Sequence, residues 1–261
     1  MLNAILTPFR RLGHLTINAI WRLGFISRFF GALLLNSGQS FSRLHLTIRE
    51  IYFAGVLSLL IIMVSGLFVG MVLGLQGYNI LANFGSSDAL GMFVALALLR
   101  ELGPVLAALL FASRAGSAMT AEIGLMKATE QLDAMSVMAV NPMARVVAPR
   151  FWAGVISMPI LAALFNAMGI FGGYLIGVIM IGIDSGTYWG QMQSSVDLYT
   201  DVMNGLLKSL VFGMAVTLIA VFEGYDAEPT AAGVSAATTR TVVTSALVIL
   251  ALDFVLTAFM F

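Results

Sequence analysis

The chain alternates between long apolar runs and shorter polar intervals. Five of the runs are long enough to supply the roughly 20 residues with which a helix crosses a bilayer. They cover residues 51–75, 89–112, 151–183, 202–222 and 241–261. The pattern predicts an all-α integral membrane protein with two regions, an N-terminal region over residues 1–50 and a five-span domain over residues 51–261.

The N-terminal region is basic and contains no run long enough to cross a membrane. Its apolar residues follow helical spacing in two patches, Leu2, Ile5, Leu6 and Phe9, then Phe25, Phe29, Phe30, Leu33 and Leu34. A basic region with such patches predicts an interfacial helix along the cytoplasmic membrane face. A disordered basic tail is the alternative.

The longest polar interval between the central runs covers residues 112–150, here called the central interval. It predicts a short amphipathic helix in which Thr129 is the N-cap, Glu130 and Asp133 place negative charge in the first turn, and Asn141-Pro142 ends the helix. The apolar face would consist of Leu132, Met135 and Met138. A segment held in this way between spans can transmit the movement of a soluble partner to the helices in the bilayer.

Two spans carry glycines at intervals of four residues. This spacing places small residues on one helix face and lets two helix backbones approach closely. We therefore expect close packing at Gly66, Gly70 and Gly74 of the first span and at Gly169, Gly173 and Gly177 of the third.

Four charged residues lie inside the apolar runs, namely Arg100, Glu101, Lys208 and Asp253. An unpaired charge at the centre of a span costs at least about 2.5 kcal/mol on insertion scales. Because neighbouring helix residues point about 100° apart, Arg100 and Glu101 need partners from other spans. Pro104 frees the carbonyl of Arg100, so we also expect a kink beside this pair. The four residues either form an ion network that aligns the spans or line a cavity that meets a polar head group.

Composition narrows the function. Hydrophobic residues make up 60% of the chain and charged residues 10%, against about 25% charge in soluble domains. The net charge is zero, which gives no support for a nucleic-acid surface. There is no cysteine, and both histidines lie in the N-terminal region, so the sequence predicts no metal site, no cofactor and no catalytic centre. It also contains no P-loop motif, so any ATP that drives this chain must bind another subunit.

The distribution of basic residues predicts the topology. The intervals at residues 77–88 and 184–201 contain no Lys or Arg. Basic residues fall instead in the N-terminal region, the central interval and the interval before the last span. By the positive-inside rule the N-terminus is cytoplasmic and, after five spans, the C-terminus is on the opposite side.

Several motifs resemble the MlaE-type permeases of ABC transporters that move phospholipids between membranes. The similarity covers about residues 51–261. It rests on Arg100-Glu101-Leu102-Gly103-Pro104, Arg114-Ala115-Gly116-Ser117, Ala121-Glu122-Ile123-Gly124, Met126 to Met135 and Asn141-Pro142.

The resemblance implies a permease subunit in the bacterial inner membrane that helps maintain outer-membrane lipid asymmetry. Its expected partners are a second copy of the chain, a cytoplasmic ABC ATPase dimer, a periplasmic MCE-type lipid-binding ring, in some members a STAS-domain protein, and phospholipid. It also implies that residues 130–135 of this chain lie in a coupling helix seated in a groove of the ATPase. We expect the contact with the ATPase to involve Glu122, Lys127, Glu130, Gln131, Asp133 and Met135. The alternative function is a secondary transporter coupled to protons through Glu101 and Asp253.

Overall fold

The computed structural model describes residues 17, 21, 24–38 and 44–260. Within these residues five helical runs are long and apolar enough to cross a membrane. They are span one (Leu44–Asn83), span two (Ser87–Ala128), span three (Met143–Met180), span four (Leu198–Asp226) and span five (Ala231–Met260). The predicted all-α, five-span fold is confirmed, and each of the five helical runs begins before the apolar stretch that signalled it.

Short 3₁₀- or π-helical turns occur in spans one to four. The α-helices are α1 (24–38), α2 (Leu44–Ala54), α3 (Leu59–Asn83), α4 (Leu90–Ala97), α5 (Gly103–Phe111), α6 (Ser117–Ala128), α7 (Gln131–Val137), α8 (Ala148–Tyr174), α9 (Ser185–Ser195), α10 (Met203–Asp226) and α11 (Ala231–Met260). A 3₁₀ turn at Val56–Ser58 divides span one. Spans two, three and four contain π-helical turns, at Leu98–Leu102, Ala112–Gly116, Met143–Val147, Leu175–Met180 and Leu198–Val202.

Span three lies at the centre of the bundle. Spans one, two and four pack against it, whereas span five packs mainly on span four and on the end of span two. Half of the most apolar window of span three is buried, compared with 11% for span five. Span five therefore presents most of its surface to its surroundings.

The two ends of the bundle differ in charge. One end, called the basic end because Lys and Arg lie there, carries α1, α7 and the turn between spans four and five, and the helical runs that reach it contain Arg49, Lys127, Arg145, Arg150 and Arg240. The other, called the acidic end, carries residues 84–89 and α9, and its intervals contain Asp88, Asp184 and Asp197 without any Lys or Arg.

Helix α1 packs on the basic end of the bundle. The ring of Phe29 lies 5.5 Å from that of Phe222 and 5.6 Å from that of Tyr225. Leu33 is fully buried in the same cluster, and the amide of Asn141 donates a hydrogen bond of 2.8 Å to Asn36 Oδ1. Part of the second predicted apolar patch is therefore buried against the bundle. The first patch, Leu2 to Phe9, lies outside the described residues, and the interfacial position stays a prediction.

The central interval differs from the expectation at both ends of its short helix. Thr129 is not the N-cap, because its hydroxyl donates to Leu125 O (2.9 Å) at the end of α6. Glu130 then takes a left-handed conformation with φ of 59°, which stops α6 and lets α7 begin at Gln131. The sequence does not signal this turn, since a non-glycine residue rarely adopts positive φ.

Helix α7 also ends earlier than expected. It stops at Val137, and Ala139 has φ of 58°, while the amide of Val140 donates to Met135 O across the helix end. Asn141-Pro142 begins the next helical run instead: Asn141 Oδ1 accepts a 3.0 Å bond from the amide of Met143. Asn and Pro therefore act here as an N-terminal cap and first helical residue.

Candidate functional site

Lys208 is the centre of a polar cluster inside the membrane-spanning bundle. Its side chain is completely buried. The ammonium donates to Glu101 Oε2 (3.1 Å), Asp253 Oδ1 (3.2 Å), Thr257 Oγ1 (2.7 Å) and the backbone oxygen of Arg100 (2.9 Å). Spans two, four and five thus meet at one cation, and Lys208 does not extend to an interface.

Pro104 explains why the backbone of Arg100 is available. Proline has no amide hydrogen, so the carbonyl four residues earlier loses its helical donor. The structure has a π-helical turn at Leu98–Leu102, directly before this proline. Lys208 supplies the missing donor, which avoids leaving an unpaired carbonyl inside the bundle.

Arg100 forms an ion pair with Asp201 of span four. Its Nε donates to Asp201 Oδ1 at 2.7 Å, and the side chain of Asp201 is almost fully buried. Asp201 Oδ2 also accepts the amide of Asp197 (2.9 Å), so both carboxylate oxygens are bonded.

Two members of the site were missed from the sequence. Asp201 was placed in the loop before span four, although it precedes Lys208 by seven residues and so shares its helix face. Thr257 follows Asp253 by four residues, which places both side chains on one face of span five. These spacings were the available signals.

The cluster is open on one side. The side chain of Lys208 is 0% exposed, that of Asp253 is 22%, that of Glu101 is 39% and that of Arg100 is 40%. Carboxylate and guanidinium groups therefore reach the surface of this single chain around a buried ammonium. Such an arrangement can hold spans in register and can present hydrogen-bonding groups to a polar molecule in an otherwise apolar wall.

The two glycine series meet in the structure. A methyl group built on Gly66 would lie 2.7 Å from Phe165 O, and one built on Gly70 would overlap the backbone of Gly169. One built on Gly74 would lie 3.2 Å from Gly173 Cα. Spans one and three therefore run parallel with their backbones in direct contact.

The glycines of span three also make room for span two. Methyl groups on Gly169, Gly173 and Gly177 would lie 2.7, 2.7 and 2.8 Å from the side chains of Leu98, Val94 and Leu90 respectively. One face of span three thus accommodates large side chains from its neighbour, and the adjacent face accommodates a backbone.

Helix α7 presents a mixed surface at the basic end. Leu132 is buried, and Met135 is partly buried against the cluster that contains Phe29 and Leu33. Glu130, Gln131 and Asp133 are exposed. Met138 was expected on the inner face but is 66% exposed, because the left-handed turn at Ala139 follows it, and Val137 beside it is 88% exposed. Exposed apolar side chains next to acidic ones are typical of a contact surface.

Glu122 and Lys127 are engaged within the chain. Arg150 Nη2 lies 3.1 Å from Glu122 Oε2 and 3.5 Å from Glu50 Oε1. Lys127 Nζ donates to Tyr225 O at 2.8 Å. These contacts tie the end of span two to spans one, three and four, so a displacement of α7 would reach three neighbouring helices.

Comparison with known proteins gives a consistent result. Residues 47–259 match the family described as Permease MlaE. The chain is 59% identical to the intermembrane phospholipid transport system permease protein MlaE of Haemophilus influenzae, over 93% of this chain and 92% of that protein. It is 35% identical to a probable ABC transporter permease protein of Synechocystis, over 93% of each. It is 30% identical to the chloroplast protein trigalactosyldiacylglycerol 1 of Arabidopsis thaliana, over 82% of this chain and 61% of that protein. The chain is thus a member of the MlaE permease family.

Proposed function

We propose that the chain is the membrane-spanning permease subunit of an ABC transporter that moves phospholipids between the inner and outer membranes of a bacterium and so maintains lipid asymmetry. The observation that carries this proposal is the match to the MlaE family over residues 47–259, together with high identity to a permease named for intermembrane phospholipid transport. The five apolar helices supply the required membrane domain.

In this proposal Arg100, Glu101, Lys208 and Asp253 maintain or gate a lipid cavity between two copies of the chain. Span five is the least buried span, and Asp253 and Glu101 reach the surface of the single chain. This supports a second copy, because carboxylates at membrane depth are stabilised when protein covers them. The glycine contacts of spans one and three would keep the wall of that cavity rigid.

The exposed face of α7 would receive the motion of a cytoplasmic ABC ATPase. Glu130, Gln131 and Asp133 would contact the ATPase, while Leu132 and Met135 anchor α7 to the bundle. Glu122 and Lys127 would transmit the displacement through their bonds to Arg150 and Tyr225. A periplasmic MCE-type ring at the acidic end, and a STAS-domain protein on the ATPase, would complete the system.

The same proposal sets the location and topology. The chain would lie in the inner membrane with the basic end cytoplasmic, because basic residues are retained on that side. The N-terminal region would lie along the cytoplasmic face, and the C-terminus would be periplasmic.

Reconstitution tests this function. The chain is purified in mild detergent with its co-purifying subunits and placed in liposomes containing a labelled phospholipid, next to acceptor liposomes. The proposal predicts ATP-dependent transfer and an ATPase among the co-purifying subunits. Transfer by this chain alone, driven by a pH gradient and indifferent to ATP, would instead support proton coupling through Glu101 and Asp253. The similarity to proteins named as ABC transporter permeases favours the ATP-driven function.

A further inference from the structure

A second polar site lies at the basic end, away from Lys208. It is a cavity of about 110 Å³ between the start of span one and the end of span two. Its charged lining residues are Glu50, Arg114 and Glu122, and its apolar lining residues are Phe53, Ala54, Leu57, Ala115, Ala118 and Met119. Of these lining residues only Glu122 has a role in the proposed transport cycle, through its ion pair with Arg150.

The cavity lies at the level of lipid head groups. Glu50 immediately precedes the uncharged run at residues 51–75, and Arg114 follows the run at residues 89–112. Arg114 Nη1 donates to Phe53 O (2.6 Å) and to Ser58 Oγ (3.2 Å), which fixes both ends at the same depth. Phe53 and Leu57 are 41% and 47% exposed, so an acyl chain can lie along them towards the bilayer interior.

Arg114 retains donors for an anion. Both of its hydrogen bonds within the described part of the chain come from Nη1. Its Nε and Nη2 are therefore available, and a guanidinium with two adjacent free donors matches the oxygens of a phosphate.

The opposite side of the cavity suits a cation. Arg150 forms an ion pair with one oxygen of Glu50 (3.5 Å) and donates a hydrogen bond to one oxygen of Glu122 (3.1 Å), so the second oxygen of each carboxylate can accept other bonds. Glu50, Glu122, Arg114 and Arg150 carry no net charge together, and the guanidinium of Arg49 lies over the Phe53 ring, 5.8 Å from its centroid. The ammonium of a zwitterion can pair with the remaining carboxylate oxygens, whereas the head group of an anionic lipid would meet them without bringing a cation.

We propose that this cavity binds the head group of a zwitterionic phospholipid from the cytoplasmic leaflet, with the phosphate on Arg114 and a primary ammonium, as in phosphoethanolamine, between Glu50 and Glu122. This inference rests on the proposed function for phospholipid as cargo and for the cytoplasmic position of the basic end. The site would select the lipid class that reaches or leaves the permease on this side.

Photocrosslinking tests the proposal. The full chain carries a benzophenone amino acid at Leu57 and is placed in nanodiscs of equal amounts of phosphatidylethanolamine and phosphatidylglycerol, and crosslinked lipids are identified by mass spectrometry. We expect several-fold more crosslinking to phosphatidylethanolamine. Glu50→Gln with Glu122→Gln should bring the ratio close to one, and Arg114→Gln should lower both products. Equal crosslinking of the two lipids by the unaltered site would overturn the proposal.

Two further variants keep the result independent of folding. Ala118→Leu fills the cavity without touching the ion pairs and should abolish the preference, whereas Asp88→Asn at the acidic end should leave it unchanged. A preference that survives Ala118→Leu would place the lipid elsewhere.

Soluble phosphoethanolamine should not compete, because it lacks the acyl contacts with Phe53 and Leu57, and full competition would assign the cavity to a free phosphate ester. ATP-dependent transfer by a complex without head-group preference would reject this site alone, and absence of any phospholipid transfer would reject the proposed function.

Discussion

Lys208 on span four and Asp253 on span five form an ion pair of 3.2 Å in which the ammonium is fully buried and the carboxylate is partly exposed. The same ammonium bonds Glu101 of span two, so one cation joins three spans. Removing it leaves two carboxylates with no cation between them, which is the costly way to break a buried pair, and only Glu101 keeps a donor, the hydroxyl of Thr257 (3.1 Å).

We expect Lys208→Met to lower the free energy of unfolding in detergent by about 3 kcal/mol and to reduce lipid transfer. Asp253→Asn added to it should recover part of the loss, because the double variant leaves one carboxylate fewer unpaired. Thermal unfolding of both variants measures this, with Arg28→Met, an exposed cation on α1, as the matched control. Equal stability of Lys208→Met and the unaltered chain would contradict a buried ion cluster.

Glu130→Lys combined with Asp133→Lys should abolish co-purification of the ATPase without altering the thermal stability of the chain. Glu130 immediately precedes α7 and Asp133 lies on it, and both side chains are exposed. Reversing their charge therefore changes the surface of the chain and not its interior. Pull-down of the tagged chain measures the effect, and Asp88→Lys at the acidic end controls for charge alone. Undiminished co-purification and transport would show that α7 does not receive the ATPase.

Gly70→Ala should destabilise the chain by about 1 to 3 kcal/mol, since the added methyl overlaps the backbone of Gly169 and neither helix can yield locally. Gly190→Ala on α9 is the control, because nothing lies within 4 Å of its added methyl. Unfolding midpoints of the two variants should differ clearly. Similar midpoints would mean that spans one and three are less closely packed than the structure shows.

Helix α9 should lose stability in acid. Asp184 accepts bonds from the amide (2.8 Å) and hydroxyl (3.1 Å) of Thr187, and these bonds lower the pKa of its carboxyl below 3.8. A lowered pKa means that the contribution is complete above about 3.8 and is lost as the pH falls through the value in the folded state. Hydrogen exchange at residues 185–195 should accelerate in that range, and Asp184→Ala should remove the pH dependence. An unchanged profile in this variant would contradict the cap.

Single cysteines can map the topology, since the chain has none of its own. In intact cells a membrane-impermeant maleimide should label Asp88→Cys at the acidic end and should not label Ser136→Cys on α7 until the membrane is opened. Both positions are exposed, so access to the membrane side decides the result. External labelling of Ser136→Cys would invert the topology and reject cytoplasmic coupling.

The fold could be predicted because lipid imposes long apolar helices, and the charges inside them had to find partners. The sequence could indicate that Arg100 needed a residue from another span, but not that Asp201, 101 positions away, would supply it. Asp201 was not identified as a partner because it is the last residue of the interval 184–201, which the apolar pattern assigns to a loop. The left-handed turns at Glu130 and Ala139 could not be predicted, because these residues have no special preference for positive φ. Leu132, between them, is buried in the bundle, and the sequence alone does not show that contact.

The contact between Gly70 and Gly169 has a mechanical consequence. With no side chain between them, spans one and three cannot slide or rotate past each other without steric overlap, so they must travel as one body. Span five packs instead on spans two and four, through Lys208 near its end and through Thr241 and Arg240 near its start. A displacement of span five relative to this rigid pair must therefore pass through spans two and four, on which span five packs.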